Sequence, residues 1–268
     1  MTGDVGVLAG GGCHIFSGCG FPAPGLQSFN WKPFFTIGTF GFTKPMLLAI
    51  LAALVVIAFF GAAFWRPKLV PRGVQNLGEL AILGVRDQIL RPSLGRRGDS
   101  YLPFLVSLFF FIYIMNVMEL IPVLQFPVPS RIGFVWPLVF IVYFLYLYLG
   151  FKHQGVWGYF KTMIPPGVPW PIYIILVPVE LLRFFVFQPF TLGIRLFGNM
   201  FAGHLLLTIF SIATWYLLSL SIGLLYAAGS FVLAIFVFLL ETLVTLLQAF
   251  IFTTLTATYI ASSVEPAH

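Results

Sequence analysis

The chain has 268 residues, of which 60% are hydrophobic, 18% aromatic and only 8% charged, against roughly a quarter charged in a soluble domain. So few charges cannot cover a water-facing surface, which excludes a soluble globular class and turns the apolar surface toward lipid. The net charge of +6 does not indicate nucleic acid: Arg66, Lys68, Arg72, Arg86, Arg91, Arg96 and Arg97 lie in one polar stretch between apolar runs, with no basic patch interleaved with base-stacking aromatics.

Residues 1–45 form a Gly-rich segment ahead of the first apolar run, without the basic start and short apolar core of a cleavable signal. Cys13 and Cys19 lie there beside His14. Four metal ligands are not in sight, so no metal is expected. An oxidising location would allow a disulfide.

Residues 46–65 are uncharged and long enough to span roughly 30 Å of hydrocarbon as a helix. The basic stretch 66–100 follows. Within it Val74, Leu77, Ala81, Val85 and Ile89 recur at helical spacing, predicting an amphipathic helix at the membrane surface. Residues 101–124 are apolar apart from Asn116 and Glu119. After Pro127-Val128-Pro129, residues 133–151 form a second span, and the two predict a transmembrane hairpin. Residues 153–170, rich in Gly and Pro, read as a loop.

The last two apolar stretches, 172–226 and 231–262, exceed the roughly 20 residues of a perpendicular span and predict long, strongly tilted helices. Pro178 and Pro189 are candidate kinks, Gly223 and Gly229 a candidate turn, and 263–268 a short tail. The fold class expected is an all-α integral membrane protein. The basic 66–100 loop belongs on the cytoplasmic side, which puts the N-terminus outside and the C-terminus inside.

Ionisable groups inside these runs are the candidates for function. An Arg at mid-bilayer costs from ~3 to ~17 kcal/mol, a large fraction of a net stability of ~5–15 kcal/mol. Arg195 has no acid one turn away on either side. Its partner is either Glu241 or Glu119 within the chain, as structural glue, or a carboxylate on another chain. Guanidinium does not give up its proton, so Arg195 can hold a carboxylate ionised and bar a proton, but cannot relay one. Asn199 lies one turn along the same face and His204 about 180° round the helix. Glu241, Thr245, Gln248 and Phe252 share a stripe of the last helix, where Gln248 suits a place beside Arg195. His204 and Glu241 are the expected titrating pair, with Asn116 and Glu119 adding polar groups to the same kind of face.

The run Pro189-Phe190-Thr191-Leu192-Gly193-Ile194-Arg195-Leu196-Phe197-Gly198-Asn199-Met200-Phe201-Ala202-Gly203 resembles the signature of subunit a of the F-type ATP synthases. Leu247-Gln248-Ala249-Phe250-Ile251-Phe252, continuing to Tyr259, resembles the last helix of that family, and Met115-Asn116-Val117-Met118-Glu119-Leu120-Ile121-Pro122 its earlier polar span. The similarity covers roughly residues 46–262 in order. It implies a stator subunit of a bacterial plasma-membrane ATP synthase, with two long helices packed against a rotor ring of c subunits, and contact with the b stalk and the remaining synthase subunits. It implies that Arg195 faces the ring carboxylate. Asn199, His204, Glu241, Gln248, Asn116 and Glu119 would belong to an outer proton half-channel, and Glu180 and Thr191 to an inner one. Some members carry His204 and Glu241 exchanged, which keeps one acid and one imidazole in the channel. Arg183 and Gln188 stand where a small polar and a basic residue are expected, and Arg131 in the outer turn has no counterpart.

The expected function is proton translocation coupled to ring rotation and ATP synthesis, with no cofactor. No nucleotide-binding, G-x-S-x-G or H-E-x-x-H motif is present, so ATP chemistry belongs to other chains and this one carries no catalytic site. The alternative is a standalone secondary transporter using His204 and Glu241 as its relay. It would need no ring, and no inverted repeat is visible in its favour.

Overall fold

The computed structural model describes residues 21, 24–25, 35–37, 40–121, 124–162, 170–218 and 222–264. Cys13, His14, Cys19 and the last residues of the tail lie outside them. A short antiparallel hairpin, β1 (Phe35–Ile37) and β2 (Phe40–Phe42), precedes the helices; the described residues after it are helix and connection. Five helical stretches are long and apolar enough to cross a membrane: Lys44–Phe64, Gly98–Val117, Ile132–Val156, Ile174–Leu217 and Gly223–Val264.

Proline marks where several helices begin. α1 (Lys44–Phe64), α4 (Leu102–Val117) and α7 (Gln188–Leu217) each carry Pro in the first turn, where its missing N–H costs nothing and its φ suits the helix. Between α1 and α4 run α2 (Val74–Val85), a π turn (Arg86–Leu90) and the short α3 (Arg91–Leu94). The row grouped on one face from Val74 is split: Val85 and Ile89 are buried and its N-terminal members are not. Val74 and Leu77 are exposed, and the inward row is Gly78, Ile82, Val85 and Ile89. Gly78 sets that phase: a Cβ there would press on Ala63 and Phe64 of α1, so the helix turns its glycine face to α1 and its leucines outward. Asp99 gathers the loop, accepting from Arg86 at 3.0 Å and lying 3.6 Å from Arg91. That bond holds the Arg86 guanidinium even more firmly protonated than usual.

The α4–α5 connection is not a loose outer turn. Phe126, Val128, Pro129 and Ser130 are buried and pack on α7. α5 (Ile132–Thr162) continues through much of the segment expected as loop. It breaks at Gly155, whose φ of 70° suits glycine, and doubles back. Tyr159 then lies on Gly150, where a side chain would collide with its ring, and it meets the Phe184 ring edge-on at 5.4 Å.

α6 (Trp170–Leu182) runs through a second π turn, Arg183–Phe187, into α7. The extra residue of the π turn lies just ahead of Pro189, which has no N–H to give to the preceding turn. α8 (Gly223–Val264) is one helix of 42 residues, roughly 63 Å long. That is about twice the hydrocarbon thickness, so α8 must lie steeply oblique to cross it. Gly223 and Gly229, expected in a turn, lie at and near its start instead; α7 ends at Leu217.

Between lipid-bathed helices the hydrophobic effect supplies no net drive, so close approach of small residues and buried hydroxyls carries the packing. α8 follows that rule. Its buried row includes Ala227, Ser230, Thr245, Ala249, Thr253, Thr256, Ala257 and Ser263. Thr253 and Thr256 donate to the carbonyls of Ala249 and Phe252 at 2.8 and 2.9 Å, so no hydroxyl is orphaned. α8 packs along α7 and also touches α5 and α4. It therefore forms one wall of both apolar cores, the larger around Ile112, Val139, Leu196 and Phe252 and the smaller around Ile89, Leu105 and Ile260.

Candidate functional site

α4, α7 and α8 meet at a polar cluster inside this apolar frame. α4 delivers Asn116 on its last turn. The chain then tightens, with the Glu119 amide donating to the Asn116 carbonyl at 3.1 Å, and Glu119 swings into the bundle. Asn116 is fully buried and Glu119 2% exposed. The Asn116 amide donates to the Thr245 carbonyl of α8 at 3.5 Å. One Glu119 oxygen lies 3.0 Å from His204 Nδ1 of α7. Phe126 closes the site with its ring edge-on to the imidazole, centroids 6.1 Å apart.

The expected His204–Glu241 pair is thereby corrected: the imidazole bonds Glu119, not Glu241. Glu241 is also buried, but it occupies the neighbouring position over Gly203, where any side chain on α7 would collide with its carboxylate. One carboxyl group, Glu119, thus bonds the imidazole, and a second, Glu241, lies over the adjoining Gly203. Asn116 Oδ1, Glu119 Oε2 and Glu241 Oε1 have no donor among the described residues. Buried oxygens of this kind are ordinarily met by protein or ordered water.

One turn before this cluster, Asn199 donates to the Gln248 side-chain oxygen at 3.0 Å, linking α7 to α8. Glu241, Thr245, Gln248 and Phe252 are all buried and do share one stripe. Gln248 bonds Asn199, and it makes no hydrogen bond to Arg195.

Arg195 is half-buried, one turn further along α7. Among the described residues its side chain makes no hydrogen bond and no ion pair; neither Glu119 nor Glu241 holds it, so the internal-glue alternative fails. The adjoining surface of α7 and α8 is apolar and exposed, with Ile194, Leu206, Leu243, Leu246 and Leu247 on it. A fixed cation therefore stands at the edge of an exposed apolar surface with no anionic partner among the described residues.

Glu180 and Thr191 are not brought to the cluster. Glu180 pairs with Arg183 at 2.8 Å, beside the π turn, which gives the unexpected Arg183 a partner within its own helix. Thr191 is exposed one turn before Arg195. Sequence reasoning did not single out Gly203 as a site residue, although a glycine beside a membrane histidine and one turn after a polar Asn was the available signal. Nor did it single out Phe126, whose place depends on the buried connection.

Residues 46–261 match the family model for the ATP synthase A chain. The chain is 42% identical over 262 residues to ATP synthase subunit a of Streptomyces lividans, covering 96% of this chain and 92% of that one. It is 40% identical over 250 residues to the same subunit of Frankia alni, covering 91% and 86%. It is 39% identical over 246 residues to that of Rhodococcus erythropolis, covering 90% and 89%. The match takes in every span and the whole polar cluster: the chain belongs to the ATP synthase A chain family, the proton-translocating membrane subunits of F-type ATP synthases.

Proposed function

We propose that Arg195 is the fixed charge that couples proton flow to rotation, and that the cluster Asn116, Glu119, His204, Glu241, with Asn199 and Gln248 between it and Arg195, is the outer half-channel. The observation that carries this reading is the unpartnered guanidinium at the edge of the exposed α7–α8 face. Such a charge is expensive in hydrocarbon, and an acid supplied by a neighbouring c-subunit ring removes the cost. Glu119 and Glu241 offer acceptor oxygens, and an imidazole that takes a proton becomes a donor on both nitrogens. A proton entering from outside passes along these groups and neutralises a ring carboxylate, which can then turn into lipid. The next carboxylate to arrive gives up its proton on the inner side, near Glu180 and Thr191. Arg195 attracts the ionised acid and, being unable to release a proton, keeps the two paths apart. The drive is about 2.3 kcal/mol per charge per 100 mV.

The chain lies in the bacterial plasma membrane with its N-terminus outside and C-terminus inside, because residues 66–100 hold half of its Lys and Arg. The b stalk and the remaining synthase subunits complete the assembly. The test is ATP-driven acidification of inverted membrane vesicles. Arg195→Ala should abolish it, and pumping at the native rate would overturn the reading. The same assay with and without sodium should give equal rates, since an imidazole–carboxylate path suits protons; a sodium requirement would reassign the ion.

A further inference from the structure

The junction between α1 and α2 holds a second polar feature that proton transfer does not use. A cavity of about 360 Å³ opens there, lined by Ala62, Ala63, Trp65, Arg66, Lys68, Arg72, Val74 and Gln75. Its charged walls are all cationic, and none of Arg66, Lys68 or Arg72 forms an ion pair with a described carboxylate. The loop that carries them is clasped rather than loose. The Lys68 amide donates to Gln75 Oε1 at 3.0 Å, and Gln75 Nε2 returns a bond to the Lys68 carbonyl at 2.8 Å. Gln75 Nε2 also donates to Glu79 at 2.9 Å, which occupies the nearest acid on α2 from outside the cavity. The first turn of α2 carries no acid and no side-chain cap, so its N-terminal amides add positive potential to the same place.

The surroundings say what kind of anion fits. The cavity lies at the end of the α1 span, and Ala62, Ala63 and Val74 make part of its wall apolar. Trp65 on its wall is 79% exposed, the kind of side chain that settles at a membrane–water boundary, and Leu69 nearby in sequence is fully exposed. A soluble anion would gain nothing from that wall, whereas a molecule with a phosphate head and acyl chains meets both parts. We propose that this cavity is a binding site for the headgroup of an anionic phospholipid, with Arg66, Lys68 and Arg72 holding the phosphate and the acyl chains lying along α1. The site seats the N-terminal end of α2 on the bilayer and is independent of the proton path.

The test uses the intact synthase complex, purified in mild detergent and reconstituted in phosphatidylcholine bilayers doped with spin-labelled phosphatidylglycerol. The readout is the motionally restricted fraction of the label. Replacing Arg66, Lys68 and Arg72 together by Gln should weaken retention about a hundredfold, while Arg96→Gln, which removes a charge outside the cavity, should not change it. Gln75→Leu, which keeps every charge but opens the clasp, should also weaken retention; this variant stands in if the triple variant does not assemble. Unchanged retention in Gln75→Leu or in the triple variant overturns the proposal, as does an equal loss in Arg96→Gln. Inorganic phosphate that displaces the label at concentrations similar to the lipid's would reassign the cavity to a free anion and overturn the lipid assignment.

Discussion

Glu180 before Arg195, and Asn199 and His204 after it on the same long helix, are satisfied in opposite ways. Before it, Glu180 meets Arg183 within one helical turn, with the arginine largely exposed. After it, Asn199 reaches α8 and His204 reaches the end of α4. A pair closed within one helix fixes nothing about its neighbours, whereas bonds that cross between helices set their register. The downstream half is therefore a polar site tied to two neighbouring segments, and the upstream half carries an ion pair closed within its own helix. Arg195 lies between them with neither kind of partner among the described residues.

This contrast can be broken most severely at Gly203. Gly203→Val would drive a side chain into the Glu241 carboxylate. Overpacking at about 1–3 kcal/mol should lower the thermal stability of the complex and remove most ATP-driven pumping. Adding Glu241→Asp, which shortens the acid, should recover part of both; no recovery would mean that Glu241 is not what Gly203 makes room for.

Comparable in size is the effect of the Glu119–His204 bond. A buried hydrogen bond involving a charged group contributes about 1.5–3 kcal/mol. Glu119→Gln and His204→Gln should each depress pumping and stability, and the double variant should lose less than the sum. Additive losses in a double-mutant cycle would show that the two side chains act separately.

Asn199→Ala should cost about 1 kcal/mol, the loss of one neutral bond to Gln248, read as a modest fall in melting temperature. The smallest stability effect belongs upstream. The Glu180–Arg183 pair is partly exposed, so Glu180→Gln should change stability by less than about 1 kcal/mol. If it nevertheless slows pumping, the loss reports on the inner path and not on folding; a large fall in stability would contradict the division drawn here.

Much of this division is legible in the sequence, and the limits have physical causes. Runs of apolar residues interrupted by Asn116, Glu119, His204 and Glu241 mark the spans and the polar site, because lipid tolerates so few such groups. Which acid meets His204 is not legible. It depends on how α4 and α8 are rotated against α7, and on the tightening after Asn116 that carries Glu119 past the end of its helix. Helical periodicity groups Val74 and Leu77 with the buried Val85 and Ile89, but Gly78 packs on α1 more closely than any leucine could and leaves Val74 and Leu77 exposed. The π turns before Arg91 and before Gln188 each add a residue that a 3.6-residue period does not count. Gly155 breaks α5 without ending it, so residues 153–162, the first part of the stretch that reads as loop, are helix folded back on itself. That Arg195 has no acid one turn away is, by contrast, legible in the sequence, and among the described residues no carboxylate pairs with it.

The most direct test of an off-chain acid is a cross-link. Ile194, exposed beside Arg195, is replaced by Cys in the intact synthase, and a second Cys is placed one turn from the ion-binding carboxylate of the small ring subunit. Mild oxidation should join this chain to that subunit and stop ATP-driven pumping, with reduction restoring it. Failure to cross-link in an assembled complex, or pumping that continues in the joined one, would contradict the account.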